Sequence, residues 1–356
     1  MKKIAINTGG GDAQGLNAVI RAATLSAINR GWEVYGIRRA YQGLLEEGGI
    51  MPLTQDTVRG ITHVGGTILG TTNRGNPFAM PVTLPDGTTK TVDRSADVIT
   101  AFEEHGFDAL IAIGGDGSLT IARDLAKQGL PVVGVPKTID NDIEGTTLTF
   151  GFLTAVDIAT DAIDRLHSTA QAHERVMVVE VMGRHAGWIA LFAGVAGTAD
   201  VILIPEIPYR VDKVCQKVME REERGRRFAI IVVAEGAYPV GGEPSFTDPE
   251  AQRLGGVGEV LARQIGGATG KETRALALRH LQRGGSPNSY DRLIALRFGA
   301  AAVRCVEQGE FGCMIALDPP DVASIPLEEA VARQKLVPID GDVVATARDL
   351  GVSFGD

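Results

Sequence analysis

The fold is decided by the stretch ALIAIGGDGS at residues 109–118, in which an apolar run opens into glycines and an acidic residue. A second stretch, PVVGVPKTIDND at residues 131–142, repeats this pattern of an apolar strand that ends in polar residues. Continuous apolar runs of this length are typical of strands buried on both faces of a parallel sheet. Ligands of open α/β sheets bind at the carboxyl ends of the strands. The two stretches therefore predict neighbouring strands with a ligand site at their ends.

Strands, loops and helices alternate along the rest of the chain, which predicts a mostly parallel, doubly wound α/β fold. The chain has 356 residues, long for one domain, and a second α/β unit begins near Gly151. We expect two Rossmann-like three-layer α/β/α domains with the active site in the cleft between them. The expected nucleotide domain comprises residues 1–150 plus about 282–330, and the expected sugar-phosphate domain comprises about 151–281 plus 331–356.

Four segments give weaker patterns. The apolar run Ala275 to Leu281 predicts a strand, and Gly236 to Arg253, rich in Gly, Pro and Glu, predicts a surface loop. The tail from Pro319 predicts a loop that is followed by a short helix near residues 327–333. Residues 70–93 predict an extended loop or a small hairpin.

Composition excludes several classes of function. The formal net charge of −9 argues against nucleic acid or a membrane surface as the main partner. No apolar stretch reaches the length of a membrane span, and Lys2-Lys3 lead directly into a strand-like run, so we expect no signal peptide. The three cysteines are scattered and lack metal-ligand spacing, which predicts reduced packing residues in a cytoplasmic protein.

Two glycine loops are candidates for binding phosphate. In Gly114 to Ser118, glycines without Cβ let the backbone approach a polyphosphate, and Asp116 is a candidate ligand of Mg²⁺. The alternative is a sharp turn with a capping Asp or Ser. The loop Thr8 to Asp12 follows the first strand and favours a phosphate at the next helix N-terminus, or else a tight turn that needs glycine.

The segment 138–142 carries the candidate general base. Asp140 and Asp142 lie one residue apart and project to the same side of an extended chain. One carboxylate can accept the proton of an attacking hydroxyl while the other stays structural or near a metal. The alternative is an Asx-type turn.

Arginines beside strand-like runs are candidates for binding the phosphate of the acceptor, because the guanidinium fork matches phosphate geometry. Any single arginine is more often part of a solvated surface. Neighbouring glycine strengthens Met182-Gly183-Arg184 and His280-Leu281-Gln282-Arg283-Gly284. Glu235 ends an apolar strand and can accept a hydrogen bond from a sugar hydroxyl, whereas His280 is expected to make a polar contact or to be a satisfied core histidine rather than to bind metal.

The ordered set of these motifs resembles the 6-phosphofructokinase family over roughly residues 3–310. Within it, the pair Gly117 and Lys137 resembles long bacterial forms of the phosphofructokinase A type. The resemblance implies Mg²⁺-dependent transfer of a phosphoryl group to the 1-hydroxyl of fructose 6-phosphate. With ATP as donor, the products are fructose 1,6-bisphosphate and ADP, as in glycolysis.

The resemblance also implies roles for individual residues. Asp140 matches the general base, with Lys137 and Arg184 beside it in the catalytic set, and Asp116 matches the magnesium-linked aspartate. Positions that match contacts to the nucleotide phosphates are Gly11, Arg74, Gly115, Asp116, Gly117 and Ser118. Positions that match contacts to the sugar phosphate are Thr138, Ile139, Asp140, Asp142, Met182, Gly183, Arg184, Glu235, His280, Leu281, Gln282 and Arg283. Arg175 and Arg274 match arginines that reach the 6-phosphate from a neighbouring subunit, which implies a homodimer or homotetramer.

The phosphoryl donor stays open between ATP and pyrophosphate. Gly117 leaves room for ATP, because an aspartate at this position would fill and repel the space of the α-phosphate. Lys137, by contrast, is typical of pyrophosphate enzymes of this family. We give Gly117 more weight and predict ATP. A non-catalytic regulatory subunit is a further alternative, against which Asp116 and Asp140 are both present.

Overall fold

The structure is a computed structural model that describes residues 1–73, 75–83, 87–248 and 253–356. It divides into two compact units, each built from more than one segment of the chain. Unit 1 comprises Met1–Ile139, Ile143–Leu153 and Arg283–Gln334. Unit 2 comprises Asp140–Asp142, Thr154–Gln282 and Lys335–Asp356.

Strands and helices alternate along most of the described chain. The strands are β1 (Lys3–Thr8), β2 (Glu33–Ile37), β3 (Ile50–Pro52), β4 (Met80–Thr83), β5 (Thr89–Val92), β6 (Ala109–Gly114), β7 (Val132–Pro136), β8 (Val176–Val181), β9 (Val201–Leu203), β10 (Ala229–Ala234), β11 (Phe246–Asp248), β12 (Arg253–Leu254), β13 (Thr273–Ala277), β14 (Cys313–Asp318) and β15 (Asp321–Pro326). The α-helices are α1 (Leu16–Ile28), α2 (Ser95–Glu104), α3 (Asp116–Lys127), α4 (Phe152–His173), α5 (Trp188–Ala196), α6 (Val211–Glu223), α7 (Val257–Thr269), α8 (Ser289–Gln308), α9 (Leu327–Ala330) and α10 (Asp342–Asp349). Short 3₁₀ helices span Gln42–Leu44, Pro77–Ala79 and Arg279–Arg283.

The main sheet of unit 1 has the strand order β15-β14-β7-β6-β1-β2-β3. Pairing is parallel from β14 to β2, and only the edge strands β15 and β3 are antiparallel. Successive residues of β1 point to opposite faces of the sheet, and helices cover both of these faces. Ile4 and Ile6 pack with residues of α1 and α8 on one face, whereas Ala5 packs with residues of α2 and α3 on the other. The prediction of a mostly parallel α/β fold is confirmed.

A topological switch point lies between β1 and β6. From β1 the chain moves to β2 on one side, and it later returns to place β6, β7 and β14 on the other side. Such a switch point opens a crevice at the carboxyl ends of the two central strands. The two glycine loops predicted to bind phosphate follow β1 and β6, so the topology brings them to this crevice.

The sheet of unit 2 has the order β13-β8-β10-β9 and is parallel throughout. On one face its strands pack against the buried side of α6 and α7, through Val214, Val218, Leu261 and Ile265. Two small antiparallel pairs, β4 with β5 and β11 with β12, complete the described strands. Across the described residues, no helix has both the length and the apolar composition that a membrane span needs.

Three of the weaker expectations need correction. The strand expected over Ala275 to Leu281 spans Thr273–Ala277, and a 3₁₀ helix follows because Arg279 turns the chain with a φ of +46°. The expected loop Gly236 to Arg253 contains β11, which pairs with β12. The expected loop after Pro319 contains the edge strand β15, and the short helix α9 ends at Ala330.

Candidate functional site

The first glycine loop, which follows β1 in unit 1, is held by short polar contacts. The Gly9 N–H donates to the Ile113 carbonyl at 2.9 Å, and the Gly10 N–H donates to the Thr72 carbonyl at 3.2 Å. The Thr71 hydroxyl donates to the Gly10 carbonyl at 2.5 Å. Gly10 has a φ of +76°, a conformation that L side chains rarely adopt. The loop is therefore ordered before any ligand arrives.

Packing explains some of the glycines but not all of them. A Cβ on Gly9 would lie 2.7 Å from the Ser118 hydroxyl, and one on Gly114 would lie 2.2 Å from the Ser118 Cβ. These two glycines are required for the close approach of the two loops. A Cβ on Gly117 would meet no heavy atom within 4 Å, and this residue is exposed. The open space at Gly117 is left for solvent or for a ligand.

Two cationic side chains lie against the first glycine loop. Lys137 is buried, and its ammonium donates to the Gly11 carbonyl. The Arg283 guanidinium donates to the Asp12 carbonyl at 3.0 Å. A Cβ on Gly11 would lie 3.1 Å from Nη1 of Arg283, so glycine lets this guanidinium approach the backbone. The charge at this end of the sheet suits an anionic ligand.

The second glycine loop ends at the N-terminus of α3. Gly115 precedes this helix without a side-chain cap, and Asp116 lies in the first turn. Uncapped N–H groups and the helix dipole favour a phosphate there. The described residues contain no cluster of three or more His, Cys, Asp or Glu that could hold a metal ion. Asp116 therefore belongs to no such cluster among the described residues, and a metal held there would take other ligands from substrate phosphates and water. Arg74, also predicted at this site, lies outside the described residues.

The carboxyl ends of β8, β10 and β13 bring together a second group of predicted residues, in unit 2. The Glu235 N–H donates to the Val181 carbonyl at 2.9 Å, and the Leu278 N–H donates to the Glu180 carbonyl at 2.9 Å. Gly183 has a φ of +138°, and a Cβ there would lie 2.8 Å from the Ala186 carbonyl oxygen. Glycine is thus required in the turn that carries Arg184. The residues gathered at this edge are Met182, Gly183, Arg184, Glu235, His280, Leu281 and Gln282.

These residues differ in what they offer to a ligand. Arg184, His280 and Leu281 are exposed. Gln282 is fully buried, and its Oε1 accepts from the Met182 N–H at 2.8 Å while its Nε2 donates to the Ala155 carbonyl at 3.5 Å. Gln282 therefore orients the turn at Met182 from behind, although the motif placed it among ligand contacts.

Asp140, Asn141 and Asp142 also belong to unit 2. Asn141 has a φ of +52°, a left-handed conformation that asparagine adopts more readily than most residues. Oδ1 of Asp142 is buried and has no hydrogen-bond partner among the described residues. In unit 1, the Ile139 side chain is fully buried, and the Thr138 carbonyl accepts from the Thr149 hydroxyl at 2.8 Å. Ile139 therefore offers only its backbone to a ligand.

Arg175 and Arg274 lie near the amino ends of strands β8 and β13, at the opposite end of the unit 2 sheet from the Met182 turn. Arg175 precedes β8, and Arg274 is the second residue of β13. Both guanidinium groups contact Oε1 of Glu272, at 2.9 and 2.6 Å. Arg175 holds the pKa of the Glu272 carboxyl below its ordinary value. The length of β8 separates Arg175 from the turn at Met182 by about 20 Å. In a single chain these arginines are not part of the Met182 cluster.

Sequence reasoning did not find two residues that shape these sites. Thr71 fixes the first glycine loop through the Gly10 carbonyl, and the only signal for it is a hydroxyl that follows Gly70. Asn141 turns the chain between Asp140 and Asp142, and its signal was the preference of asparagine for positive φ.

Comparisons with known proteins agree with the pattern of motifs. The sequence profile of the family described as phosphofructokinase matches residues 3–306. The chain is 52% identical over 355 residues to an ATP-dependent 6-phosphofructokinase of Chloroflexus aurantiacus, covering 100% of this chain and 98% of the relative. It is 50% identical over 345 residues to a pyrophosphate–fructose 6-phosphate 1-phosphotransferase of Amycolatopsis mediterranei, covering 95% of this chain and 97% of the relative.

A solved structure shares the fold. The chain resembles Pichia pastoris phosphofructokinase in the T-state with a TM-score of 0.81 and 32% sequence identity. The likeness covers 98% of this chain and 36% of the longer yeast chain. Both kinds of comparison therefore extend over nearly all of the residues discussed above.

Proposed function

Because the chain belongs to the phosphofructokinase family, we propose that it transfers the γ-phosphoryl group of ATP to the 1-hydroxyl of fructose 6-phosphate. The products are fructose 1,6-bisphosphate and ADP. The observation that carries this proposal is the switch point of the unit 1 sheet, where two ordered glycine loops meet the side chains of Lys137 and Arg283. This combination of amides, open space and positive charge suits a polyphosphate.

Unit 1 is the proposed donor-binding unit. Gly11, Gly115 and Ser118 offer backbone or hydroxyl groups to the phosphates, and Gly117 leaves space for the rest of the nucleotide. Arg74 joins them in the proposal, although it lies outside the described residues. Backbone amides need no reorganisation when they bind phosphate, because the contacts of Gly9 and Gly10 already hold the loop.

Unit 2 is the proposed acceptor-binding unit. Arg184 and His280 are exposed at the carboxyl edge of its sheet, where they are accessible to a sugar phosphate. Glu235 lies beside the turn at Met182, and its carboxylate can accept a hydrogen bond from a sugar hydroxyl. The buried Oδ1 of Asp142 has no hydrogen-bond partner among the described residues, which favours a substrate hydroxyl as its partner.

Phosphoryl transfer leaves the protein chiefly the tasks of positioning and charge neutralisation. In the proposed mechanism, Asp140 accepts the proton of the 1-hydroxyl as that oxygen attacks the γ-phosphorus. Lys137 and Arg184 are proposed to offset the negative charge that develops on the leaving phosphate oxygen as its bond to the γ-phosphorus breaks. Thr138 and the backbone of Ile139, which directly precede Asp140 in the chain, are also proposed to contact the sugar phosphate.

A divalent cation, Mg²⁺ in this proposal, completes the donor site. Asp116 would hold it, directly or through water, together with phosphate oxygens of the donor. When bound, it would neutralise phosphate charge. Because Asp116 belongs to no cluster of three or more metal-ligating side chains in the part of the chain that the structure describes, its place at the N-terminus of α3 fits such a shared metal better than a permanent all-protein site.

Gly117 favours ATP over pyrophosphate as donor. The position offers open space and no carboxylate that would exclude the α-phosphate of a nucleotide. The Chloroflexus relative is named as an ATP-dependent enzyme, whereas the Amycolatopsis relative is named as a pyrophosphate-dependent one. Lys137 is compatible with either donor, because its ammonium contacts the Gly11 carbonyl rather than a group specific to one of them.

An oligomer with shared sites is the proposed assembly, a homodimer or a homotetramer. Arg175 lies about 20 Å from the turn at Met182, and Arg274, which is in register with Met177, lies roughly 16 Å from it, so both are farther away than an arginine side chain can reach. Their guanidinium groups are held beside each other by Glu272. We assign them to the 6-phosphate of a sugar bound by a neighbouring subunit.

A cytoplasmic location follows from the proposed role. Cys215, Cys305 and Cys313 are buried as free thiols, which is typical of a reducing compartment. Glycolytic substrates carry phosphate charges that keep them inside the cell.

The decisive experiment compares donors on the purified protein with Mg²⁺ and fructose 6-phosphate. We expect fructose 1,6-bisphosphate and ADP with ATP, and little product with pyrophosphate. Turnover with pyrophosphate and none with ATP would show that pyrophosphate, not ATP, is the donor. Binding of fructose 6-phosphate without turnover by either donor would instead identify a non-catalytic regulatory subunit.

A further inference from the structure

The C-terminal segment 335–337 belongs to unit 2 and lies against the segment that carries the proposed base. The Lys335 N–H donates to the Asp142 carbonyl at 2.9 Å. The Lys335 ammonium donates to Oδ1 of Asn141 at 3.0 Å. One residue of the tail thus contacts both residues that follow Asp140.

This segment is itself fixed on the start of α5. The Trp188 indole N–H donates to the Lys335 carbonyl at 2.9 Å, and the Lys335 ammonium lies 5.7 Å from the centre of the Trp188 ring. Two residues later, the Val337 N–H donates to the Glu206 carboxylate at 2.8 Å, and the same carboxylate accepts from the Gly187 N–H at 3.0 Å. The position of Lys335 is therefore set by the scaffold of unit 2.

Asn141 is the residue on which this contact acts. Its φ of +52° puts a left-handed residue immediately after Asp140. A left-handed residue has extended alternatives of lower energy, so its side chain needs an anchor if the turn is to stay in one conformation. The Lys335 ammonium supplies such an anchor at Oδ1, and the Lys335 N–H supplies a second one at the next carbonyl.

We propose that Lys335 is a positioning residue for phosphoryl transfer, which holds Asn141 in its left-handed conformation and thereby orients the Asp140 carboxylate. This rests on the proposed function, because it takes Asp140 as the base. Lys335 does not touch the substrate in this inference. An error of about 1 Å in the placement of a reacting group can cost a hundredfold in rate. The expected consequence is a loss in kcat rather than in substrate affinity.

The test uses the full-length protein and the variant Lys335→Met, which removes the ammonium and keeps a flexible apolar stem against Trp188. We expect kcat to fall at least about tenfold while KM for fructose 6-phosphate changes less than about threefold. Arg333→Met is the matched control, because Arg333 is a highly exposed cation two residues away that pairs with Glu144. The control should stay within about twofold of the wild-type kcat.

A double-mutant cycle separates this role from a general loss of stability. An Asn141→Gly background removes Oδ1 of residue 141, the acceptor through which the Lys335 ammonium is proposed to act, so Lys335→Met should lower kcat less than about twofold further there. Equal losses in both backgrounds would overturn the inference, as would a wild-type kcat in Lys335→Met or an equal loss in Arg333→Met. Lys335→Gln, which keeps a shorter donor, serves in place of the Met variant if that one does not fold.

Hydrogen exchange tests the contact without any turnover. Amides of residues 139–143 should exchange faster in Lys335→Met than in wild type and Arg333→Met. Unchanged exchange would overturn the inference. An inactive wild type would overturn the proposed function instead, and the exchange comparison would still report on the Lys335 contact.

Discussion

Adding a carboxylate at position 117 should lower the use of ATP without harming the fold. In the structure, Gly117 is the second residue of α3 and is exposed, and a Cβ there has no heavy atom within 4 Å. The variant Gly117→Asp therefore meets no steric barrier. An acidic residue in the first turn of a helix stabilises it by about 0.3–1 kcal/mol, and replacing a helical glycine adds a comparable gain. The free energy of unfolding should not decrease.

The electrostatic cost at the donor site is larger than this gain. Since position 117 lies in the first turn of α3, a carboxylate there would lie on the order of one helical turn, roughly 6 Å, from a phosphate seated on the N-terminal amides. Two unit charges at this distance repel by about 3 kcal/mol at an effective dielectric constant of ~20. Since each 1.4 kcal/mol corresponds to a factor of ten, kcat/KM for ATP should fall about a hundredfold.

The assay is steady-state turnover with varied ATP at saturating fructose 6-phosphate, run beside thermal unfolding. Gly117→Asn is the matched control, because it adds nearly the same volume without charge. We expect the Asn variant to retain most of the wild-type kcat/KM for ATP. Equal losses in the Asp and Asn variants would show that volume, not charge, matters at this position. Full activity in Gly117→Asp would place the donor elsewhere.

Three further variants address the other sites. Asp140→Asn should lower kcat by about 10²–10⁴ at nearly unchanged KM for fructose 6-phosphate, as the loss of a general base predicts, and steady-state rates within a few-fold of wild type would contradict that role. Gln282→Leu leaves the Met182 N–H without its acceptor, at a cost of about 1–3 kcal/mol, so denaturant unfolding should show reduced stability and KM for fructose 6-phosphate should rise; an unchanged KM would refute the positioning role. Burial raises the pKa of the Glu206 carboxyl, so the folded state binds more protons than the unfolded state just above the ordinary pKa. The wild type should therefore lose stability relative to Glu206→Gln as the pH rises through this window, and parallel profiles in denaturant titrations would contradict this.

The glycine loops could be predicted because their signals are local. Each follows an apolar run, and a strand that ends in glycines identifies itself within ten residues of sequence. The topology then adds what no local pattern contains. The Arg283 guanidinium reaches the Asp12 carbonyl across 271 positions of the chain, and neither residue has a neighbour that signals the other.

The strand expected to end at Leu281 shows where apolar patterning misleads. The alternation of Ala275 to Leu281 continues beyond the last paired residue, Ala277, so the pattern alone cannot locate the end. The chain leaves the sheet there because Arg279 turns it with a φ of +46°, and Gln282 then accepts from the Met182 N–H, a contact made over 100 positions. The edge strand β15 was missed for the opposite reason, since most of its residues are exposed and carry no continuous apolar run.

Overall similarity does not separate the two donors, because the relatives named for ATP and for pyrophosphate are 52% and 50% identical to the chain. The choice must then depend on a few side chains at the proposed donor site. Lys137 is a weak candidate, since its ammonium already contacts the Gly11 carbonyl and offers the same charge to either donor. A side chain at position 117 would instead extend into open space on the first turn of α3. This position can therefore change the surroundings of the donor without changing the packing of the sheet.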